Sequence, residues 1–311
     1  MKVFDCIVKR ILKKRVMYFN KKTIAFLDGE FVKATSAKAG LYNQTMHYGI
    51  GVFEGIRSYE TPDGTRIFKA KEHFDRLHSS AEKMHIKIPY SSEELEQITY
   101  KLLEKNNLTD AYIRPLVYLG ENMSLTPTDV VHVTILVWKW GTLFGENMLN
   151  IMLSSYQRPN PKSCHVEAKV VGHYTNSILA TTEAKHKGFH EALLTDMNGF
   201  IAEGPGANFF MEKDGKFITA PLGNILAGIT RTTVFELAKE LGFEVEERFF
   251  TPEEIYTADA AFFCGTAAEI SGINKFNDYT FPMNWSDSNS QLIQRAYKRR
   301  VACNEHENLY I

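Results

Sequence analysis

Alternating apolar and polar positions predict that β-strands open the chain after its first sixteen residues. The segment MYFNKKTIAFLDGEFVKAT, residues 17–35, alternates around Asp28–Gly29, a dipeptide that readily adopts the positive φ angles of a tight hairpin turn. A second hairpin is predicted from residues 55–59 and 66–68, which flank the turn TPDG. The first half of the chain therefore begins with hairpins.

Helical spacing follows these hairpins. Apolar residues over 74–84 recur on one helical face, and a second helix begins at Ser91, which forms a capping box with Glu94. Strand patterns then return at residues 111–119 and 131–138. These elements complete one structural unit before Trp140.

The pattern restarts after GTLFGENMLN, a glycine-bearing and weakly periodic segment. Beyond it, strands are predicted at residues 150–154 and 191–195, a hairpin at 214–215, and helices at 174–187, 230–241, 251–256 and 287–302. Strands and helices mix without a regular βαβ rhythm, which favours an α+β fold with two domains over one doubly wound sheet. The predicted division is a basic amphipathic extension (1–16), a small N-terminal domain (17–140), an interdomain loop (141–149) and a larger C-terminal domain (150–311).

The composition is that of an ordinary globular protein without a charge bias. Of 311 residues, 44% are hydrophobic, and 36 Lys and Arg nearly balance 37 Asp and Glu. Net charge therefore gives no attraction to nucleic acid or to an acidic membrane. The four cysteines show neither CxxC pairs nor zinc-ligand spacing, so no metal site is indicated and a reducing, cytoplasmic setting fits. The longest apolar stretch is too short to cross a bilayer.

Residues 1–16 form a distinct basic segment, with six basic side chains against the single acid Asp5. Apolar residues recur at helical spacing opposite the basic ones, a pattern found in helices that bind a membrane surface or a partner. A packed or frayed extension, or a start codon upstream of a true start at Met17, is favoured over that function. The pattern of a secretory signal is absent.

Several segments carry side chains that a scaffold alone does not explain. HYGIGVFEGIRSY, residues 47–59, combines glycines, aromatics, a glutamate and an arginine, although a glycine-rich turn between core aromatics has the same composition. AYIRPL places Arg114 inside an apolar strand, where its charge needs either a structural salt bridge or a substrate carboxylate. The neighbouring Pro115 implies a bulge or an edge position in that strand.

Three further segments suggest a reactive centre. VEAKVVGHYTNS places Lys169 among small and apolar neighbours, which favour an uncharged and nucleophilic amine, although most lysines are surface charges. IAEGPGANFF places Glu203 at a strand end, facing either a cleft or solvent. GITRTT and GTAAEI, at residues 228–233 and 265–270, are suited either to bind an anion or to act as plain caps.

Together these segments resemble the branched-chain amino-acid aminotransferases, which are fold-type-IV enzymes that use pyridoxal phosphate. HYGIGVFEGIRSY, KEHFDRL, NNLTDAYIRPL, EAKVVGHY, EGPGANFF, GITR and GTAAEI occur in the family's order between about Met17 and Ala302. The resemblance implies a two-domain α+β architecture with mixed β-sheets and flanking helices. It also implies transamination of leucine, isoleucine or valine with 2-oxoglutarate, at a site between the domains of at least a homodimer.

The resemblance also implies a role for particular residues toward the cofactor, pyridoxal 5'-phosphate. Lys169 is the implied catalytic residue, which binds the cofactor aldehyde covalently and then moves a proton between substrate and cofactor. Glu203 is implied to pair with the pyridine nitrogen and Tyr174 with the ring oxygen. The residues implied to hold the phosphate are Arg76, Ile229, Thr230 and Thr266.

One pocket is implied to accept both an apolar substrate and glutamate. Tyr112 and the amides of Thr266 and Ala267 are implied to bind the α-carboxylate, whereas Arg114 and Tyr48 are implied to meet the second carboxylate of glutamate. The residues implied to line the rest of the pocket are Phe53, Trp140 and Arg57.

The sequence departs from the family's pattern at three places. Ala207 stands where glutamate is frequent, Leu143 stands where a pocket tyrosine is frequent, and VVGH follows Lys169 where smaller residues are usual. The pocket is therefore expected to be more apolar. D-amino-acid aminotransferases and aminodeoxychorismate lyases share the fold and the lysine, but HYGIGVFEGIR argues against both. A non-catalytic cofactor-binding protein is the third alternative, and the retention of Lys169 and Glu203 argues against it.

Overall fold

Two β-sheets, one from each half of the chain, form the framework of the fold. The computed structural model describes residues 18–141, 143–145 and 147–303, so the helix predicted over residues 1–16 lies outside the described residues. Mixed sheets with flanking helices confirm the predicted α+β class. The domain boundaries at 17–140, 141–149 and 150–311 stay a prediction.

The first sheet is antiparallel throughout. Its strands lie in the order β2, β1, β7, β6, β4, β5, with β3 also paired to β6. The strands are β1 (Ile24–Leu27), β2 (Glu30–Lys33), β3 (Gly51–Phe53), β4 (Ile56–Thr61), β5 (Gly64–Ile67), β6 (Ala111–Leu119) and β7 (Val131–Trp138). Asp28 and Gly29 join β1 to β2 with φ angles of 48° and 95°, which confirms the predicted turn.

Three helices accompany this sheet: α1 (Gln44–Tyr48), α2 (Ala70–Lys83) and α3 (Ser92–Asn106). The capping box before α3 is confirmed, because the Glu94 amide donates to Ser91 Oγ at 3.1 Å and the Ser91 amide donates to the Glu94 carboxylate at 2.7 Å. Phe74 and Leu77 of α2 and Leu95 of α3 are fully buried against the sheet. Helix α1 and strand β3 were not predicted, because each is too short to show a period.

Pro115 does not cause a bulge or mark an edge strand, so that prediction is wrong. Strand β6 lies inside the sheet and pairs with β7 in unbroken register, Pro115 opposite Ile135. The Pro115 carbonyl accepts from the Glu54 amide at 2.9 Å, so this side of Pro115 faces the break between β3 and β4. The break spares the sheet a ladder hydrogen bond that proline could not donate.

The second sheet mixes parallel and antiparallel pairs. Its order is β12, β11, β10, β13, β14, β8, β9, with β15 beside β14, and the parallel pairs are β11/β12, β14/β8 and β8/β9. Its strands are β8 (Leu149–Gln157), β9 (Glu191–Thr195), β10 (Asn208–Lys213), β11 (Lys216–Thr219), β12 (Val245–Glu247), β13 (Ala260–Gly265), β14 (Glu269–Phe276) and β15 (Tyr279–Thr280). Its helices are α4 (Tyr174–His186), α5 (Ile229–Glu240), α6 (Pro252–Ile255) and α7 (Asn289–Ala302).

Alternating phenylalanines bury both faces of the second sheet. Phe209 and Phe263 pack into a core on one face, whereas Phe210 and Phe262 pack under α5 and α7 on the other. Phe210 and Phe262 are stacked with ring centroids 5.1 Å apart. This period-two pattern of large apolar side chains makes β10 and β13 the rigid centre of the second sheet.

Direct contacts join the two halves of the chain. Lys69 Nζ lies 2.7 Å from the Glu236 carboxylate on α5, and Arg66 Nη2 donates to the carbonyl of Arg300 at 2.5 Å, near the end of α7. Val52 of β3 forms an isolated antiparallel bridge with Val170. Within the described ranges, none of the helices has the length and hydrophobicity that crossing a bilayer requires.

Candidate active site

A cavity between the two sheets collects the residues that the sequence singled out. Its walls come from β3, α2 and β6 on one side and from residues 166–177, the 203–208 turn, the start of α5 and the end of β13 on the other. All the predicted site residues except Tyr48 and Arg57 line it.

The backbone of Lys169 is fixed by both halves of the chain. The Phe53 amide donates to the Lys169 carbonyl at 3.1 Å, and the Lys169 amide donates to Ser80 Oγ at 3.0 Å. Gly172 lies so close to Gly49 that a Cβ on residue 49 would meet the Gly172 Cα at 2.8 Å. The chain around Lys169 therefore lies along β3 like an additional strand.

The Lys169 amine points into the cavity between aromatic groups. Its Nζ lies 2.9 Å from the Tyr174 hydroxyl and 5.2 Å from the centre of the Phe53 ring. Tyr174 is the first residue of α4, directly after a short 3₁₀ turn over Val171–His173. This arrangement presents one amine, with one hydroxyl partner, to a ligand in the cavity.

Glu203 is a buried carboxylate with a complete set of partners. Its oxygens accept from the Leu226 amide at 3.1 Å and from Asn208 Nδ2 at 3.0 Å, and Arg158 Nε lies 3.0 Å away. Burial raises the pKa of the Glu203 carboxyl, and the charge of Arg158 opposes this effect. The site thus holds a carboxylate suited to bind a protonated ring nitrogen.

An anion-binding cradle lies at the start of α5. No side chain caps this helix, so its first amides, from Ile229 and Thr230, face the cavity together with the positive end of the helix dipole. Arg76 reaches the same place from α2, where its Nη1 donates to the Ala227 carbonyl at 2.9 Å. Thr266, in the turn after β13, also lines this cavity.

Arg114 has no acidic partner among the residues that the structure describes. Its Nη2 donates to the Tyr112 hydroxyl at 3.0 Å, and its guanidinium lies 4.7 Å from the centre of the Phe53 ring. Arg114 Nε is buried without a hydrogen-bond partner. Trp140 packs edge-on against Tyr112, with 4.8 Å between ring centres. The structural salt bridge is therefore not found, and a cation remains in an aromatic wall.

Two predicted residues lie elsewhere. The Tyr48 side chain is 45% exposed, and its hydroxyl donates to the Met123 carbonyl at 3.0 Å. The Arg57 guanidinium is held by the carbonyl of Trp140 and lies 3.5 Å from the Glu269 carboxylate. Those two partners keep Arg57 behind Trp140, outside the cavity that contains Lys169.

The structure adds residues that the sequence analysis did not single out. Arg158 and Asn208 contact Glu203, and His173 and Val166 complete the wall near Lys169. Asn208 is part of the quoted motif EGPGANFF, so a signal for it was present. Arg158, in SYQRPNP, had none, because its contact with Glu203 spans 45 residues of sequence.

Known proteins were compared once this geometry was established. Residues 51–276 match the family model of amino-transferase class IV. The chain belongs to the class IV aminotransferases. It is 41% identical over 280 residues to the branched-chain-amino-acid aminotransferase of Pseudomonas aeruginosa, covering 88% of this chain and 91% of that protein.

Two solved class IV structures show the same fold. The branched-chain amino acid aminotransferase of Escherichia coli superposes with a TM-score of 0.88 at 35% identity, over 92% of this chain and 97% of that one. The T.th. branched-chain amino acid aminotransferase, in complex with N-(5'-phosphopyridoxyl)-L-glutamate, has a TM-score of 0.85 at 34% identity, over 91% and 95%.

The residues around the cavity of this aminotransferase fit pyridoxal 5'-phosphate. The Lys169 amine matches the cofactor aldehyde, the buried Glu203 carboxylate matches the ring nitrogen, and the open end of α5 with Arg76 matches the phosphate. Gly228 keeps the phosphate end open, because a Cβ there would overlap Oδ1 of Asn208. Amine, carboxylate and cradle line one continuous cavity.

Gly228→Ala is expected to damage both stability and cofactor binding. The new methyl group would displace Asn208, which is held by Glu203 and by the Leu226 carbonyl. Overpacking of this kind costs about 1–3 kcal/mol of unfolding free energy, measurable by urea denaturation, and cofactor affinity should fall. Gly141→Ala, in open space, is the matched control. A Gly228 variant as stable as this control would contradict the assignment.

Proposed function

We propose that this aminotransferase transfers amino groups between branched-chain L-amino acids and 2-oxoglutarate, giving branched 2-oxo acids and L-glutamate. One observation carries the proposal: the cavity with the Lys169 amine also holds Arg114, a cation without an acidic partner among the described residues, in an otherwise aromatic wall. The relatives named branched-chain aminotransferases support the same substrate class.

Each polar residue of the cavity has a distinct part in this proposal. Bound pyridoxal 5'-phosphate supplies an aldehyde and an electron-accepting ring. Lys169 binds the cofactor through Nζ and afterwards moves the proton taken from the substrate Cα, with Tyr174 orienting Nζ. Glu203 binds the ring nitrogen and keeps its proton in place. Arg76 and Thr266, with the amides of Ile229 and Thr230, bind the phosphate.

Substrate recognition follows from how polar groups are placed in an apolar wall. Tyr112 and the amides of Thr266 and Ala267 bind the α-carboxylate, which is common to all substrates. Arg114 binds the second carboxylate of glutamate. Leucine, isoleucine and valine lie instead against Phe53 and Trp140. These two substrate types therefore differ in whether they give Arg114 an ionic partner.

A homodimer in the cytoplasm completes the proposal. Large apolar side chains cluster on one face formed by α1 and the loop between β6 and β7, and Leu125 is 88% exposed. The members of this apolar face are Leu41, Tyr42, Met46, Tyr48, Met123, Leu125 and Val130. Its size fits a protein interface. Since Tyr48 is absent from its own chain's cavity, any contact with substrate requires a second copy. The free thiols Cys164 and Cys264 fit a reducing compartment.

Lys169→Ala should leave a folded protein that cannot complete turnover, because Lys169 acts through its amine and not through packing. The cofactor spectrum, followed with each L- and D-amino acid in single half-reactions, should change for L-leucine in the unaltered enzyme. Lys162→Ala, at an exposed lysine, is the control and should keep full turnover. A reaction confined to D-amino acids, or pyruvate release from aminodeoxychorismate, would replace the proposed function with an alternative one.

Arg114→Gln should separate the two substrate types. Charge-assisted hydrogen bonds contribute about 1.5–3 kcal/mol, so the glutamate half-reaction should lose roughly 10- to 100-fold in kcat/KM. Leucine should lose much less, because it gives Arg114 no charge to bind. Stopped-flow measurement of both half-reactions checks this, and equal losses for both substrates would contradict the assignment.

Leu125→Glu should dissociate the proposed dimer, because it places a charge in the middle of the apolar face. Sedimentation velocity should then show a monomer, whereas Leu222→Glu, at a leucine 54% exposed outside this face, should leave the dimer intact. A protein that sediments as a monomer before any substitution would overturn the homodimer.

A further inference from the structure

The glutamate in the motif HYGIGVFEGIRSY is the feature that the proposed function leaves unexplained. Glu54 is fully buried, at 0% exposure, in the break between β3 and β4. Its backbone amide donates to the Pro115 carbonyl at 2.9 Å, and the Gly55 amide donates to its Oε2 at 3.1 Å. A buried carboxylate in a sheet break is costly unless it has a specific partner.

That partner is Arg76, which contacts Glu54 through two parallel hydrogen bonds. Arg76 Nε lies 2.7 Å from Oε1, and Nη2 lies 2.9 Å from Oε2. With the bond from Nη1 to the Ala227 carbonyl, three of the guanidinium's five N–H groups are used, which leaves two for a ligand. Bidentate pairing fixes the plane of the guanidinium as well as its position.

A third residue, His73, holds Glu54 from the other side. His73 is 1% exposed, and its Nδ1 lies 2.8 Å from Oε2 of Glu54. Burial lowers the pKa of His73, and Glu54 opposes this effect, so the ring is neutral and donates through Nδ1. Although burial favours the neutral acid, Arg76 and His73 hold the pKa of the Glu54 carboxyl well below its ordinary value.

The same face of α2 also fixes Lys169. His73, Arg76 and Ser80 recur at helical spacing, and Ser80 Oγ accepts from the Lys169 amide. Helix α2 thus sets the position of the phosphate-binding cation relative to the reactive amine.

We propose that Glu54 is a positioning residue, which with His73 holds the Arg76 guanidinium in the orientation that binds the phosphate group. The proposal rests on the phosphate-binding role of Arg76 in the proposed function. Its rival is that Glu54 only supplies a compensating charge. The two accounts predict opposite changes, because a nearby carboxylate that did nothing but compensate charge would weaken the binding of a phosphate anion.

Two substitutions of Glu54 separate geometry from charge. Glu54→Asp keeps the negative charge but draws the carboxylate back by one methylene, and Glu54→Gln keeps the length but removes the charge. If Glu54 positions Arg76, both variants should bind phosphate about tenfold or more weakly. If Glu54 only compensates charge, the Asp variant should be unchanged and the Gln variant should bind phosphate more tightly, which would overturn the proposal.

The affinity is measured with inorganic phosphate on the full-length chain from which cofactor has been removed, from the rise in Tm with phosphate concentration. Glu212→Gln is the control, since Glu212 is also buried but accepts hydrogen bonds from Ser290 at the start of α7; it should lose stability without losing phosphate affinity. Weakening of the same size in this control would overturn the proposal.

Two further variants keep the test decisive. If the Glu54 variants do not fold, His73→Leu removes a neutral partner and leaves the charge of Glu54, so positioning predicts weaker phosphate binding and charge compensation predicts no change. Unchanged binding would overturn the proposal. Arg76→Ala tests the premise: if it binds phosphate as well as the unaltered chain, the role of Arg76 in the proposed function is wrong. Weak binding by Arg76→Ala with unchanged Glu54 variants would overturn only the positioning role.

Discussion

The backbone contact between the segment around Lys169 and β3 is the constraint on which the site depends. The Lys169 carbonyl and amide are both bound by residues of the first half of the chain, Phe53 and Ser80. The adjacent residues 171–174 lead directly into α4 of the second half. The reactive amine is therefore carried by a junction between the two sheets, and a relative displacement of the sheets would move Lys169 with respect to Glu203. Glycine at positions 49 and 172 is what permits this close approach.

The buried charges of the site differ in how they are balanced. Glu54 and Arg76 form a bidentate pair, and Glu203 is balanced by Arg158 and by hydrogen bonds from Asn208 and the Leu226 amide. Arg114 alone among these has no acidic partner in the described part of the chain, and aromatic rings supply its favourable contacts. Fully paired groups suit a cofactor that stays bound, whereas a cation with only aromatic partners suits a ligand that changes between half-reactions.

How far sequence reasoning reached depended on the range of the interactions involved. Strands β6 and β7 were predicted at their observed bounds, because their patterns are local, and so was the capping box at Ser91. Pro115 was misinterpreted, because whether a strand tolerates proline depends on a gap in its neighbour. The contact between Arg158 and Glu203 joins distant parts of the chain, so no local pattern carries it. Arg57 was assigned to the pocket for lack of any sign that Trp140 and Glu269 hold it elsewhere.

The departures from the family's pattern affect side chains and leave the backbone contacts in place. Leu143 still lines the cavity, and its amide donates to the Ala267 carbonyl at 2.7 Å, which ties the interdomain loop to the turn after β13. The backbone at this position does not require a tyrosine, so a leucine there removes a hydroxyl from the wall without releasing the loop. Ala207, buried in the opposite wall, likewise removes a carboxylate. With both polar groups absent, discrimination between glutamate and an apolar amino acid rests more heavily on Arg114, whose guanidinium Tyr112 and Phe53 already hold in place.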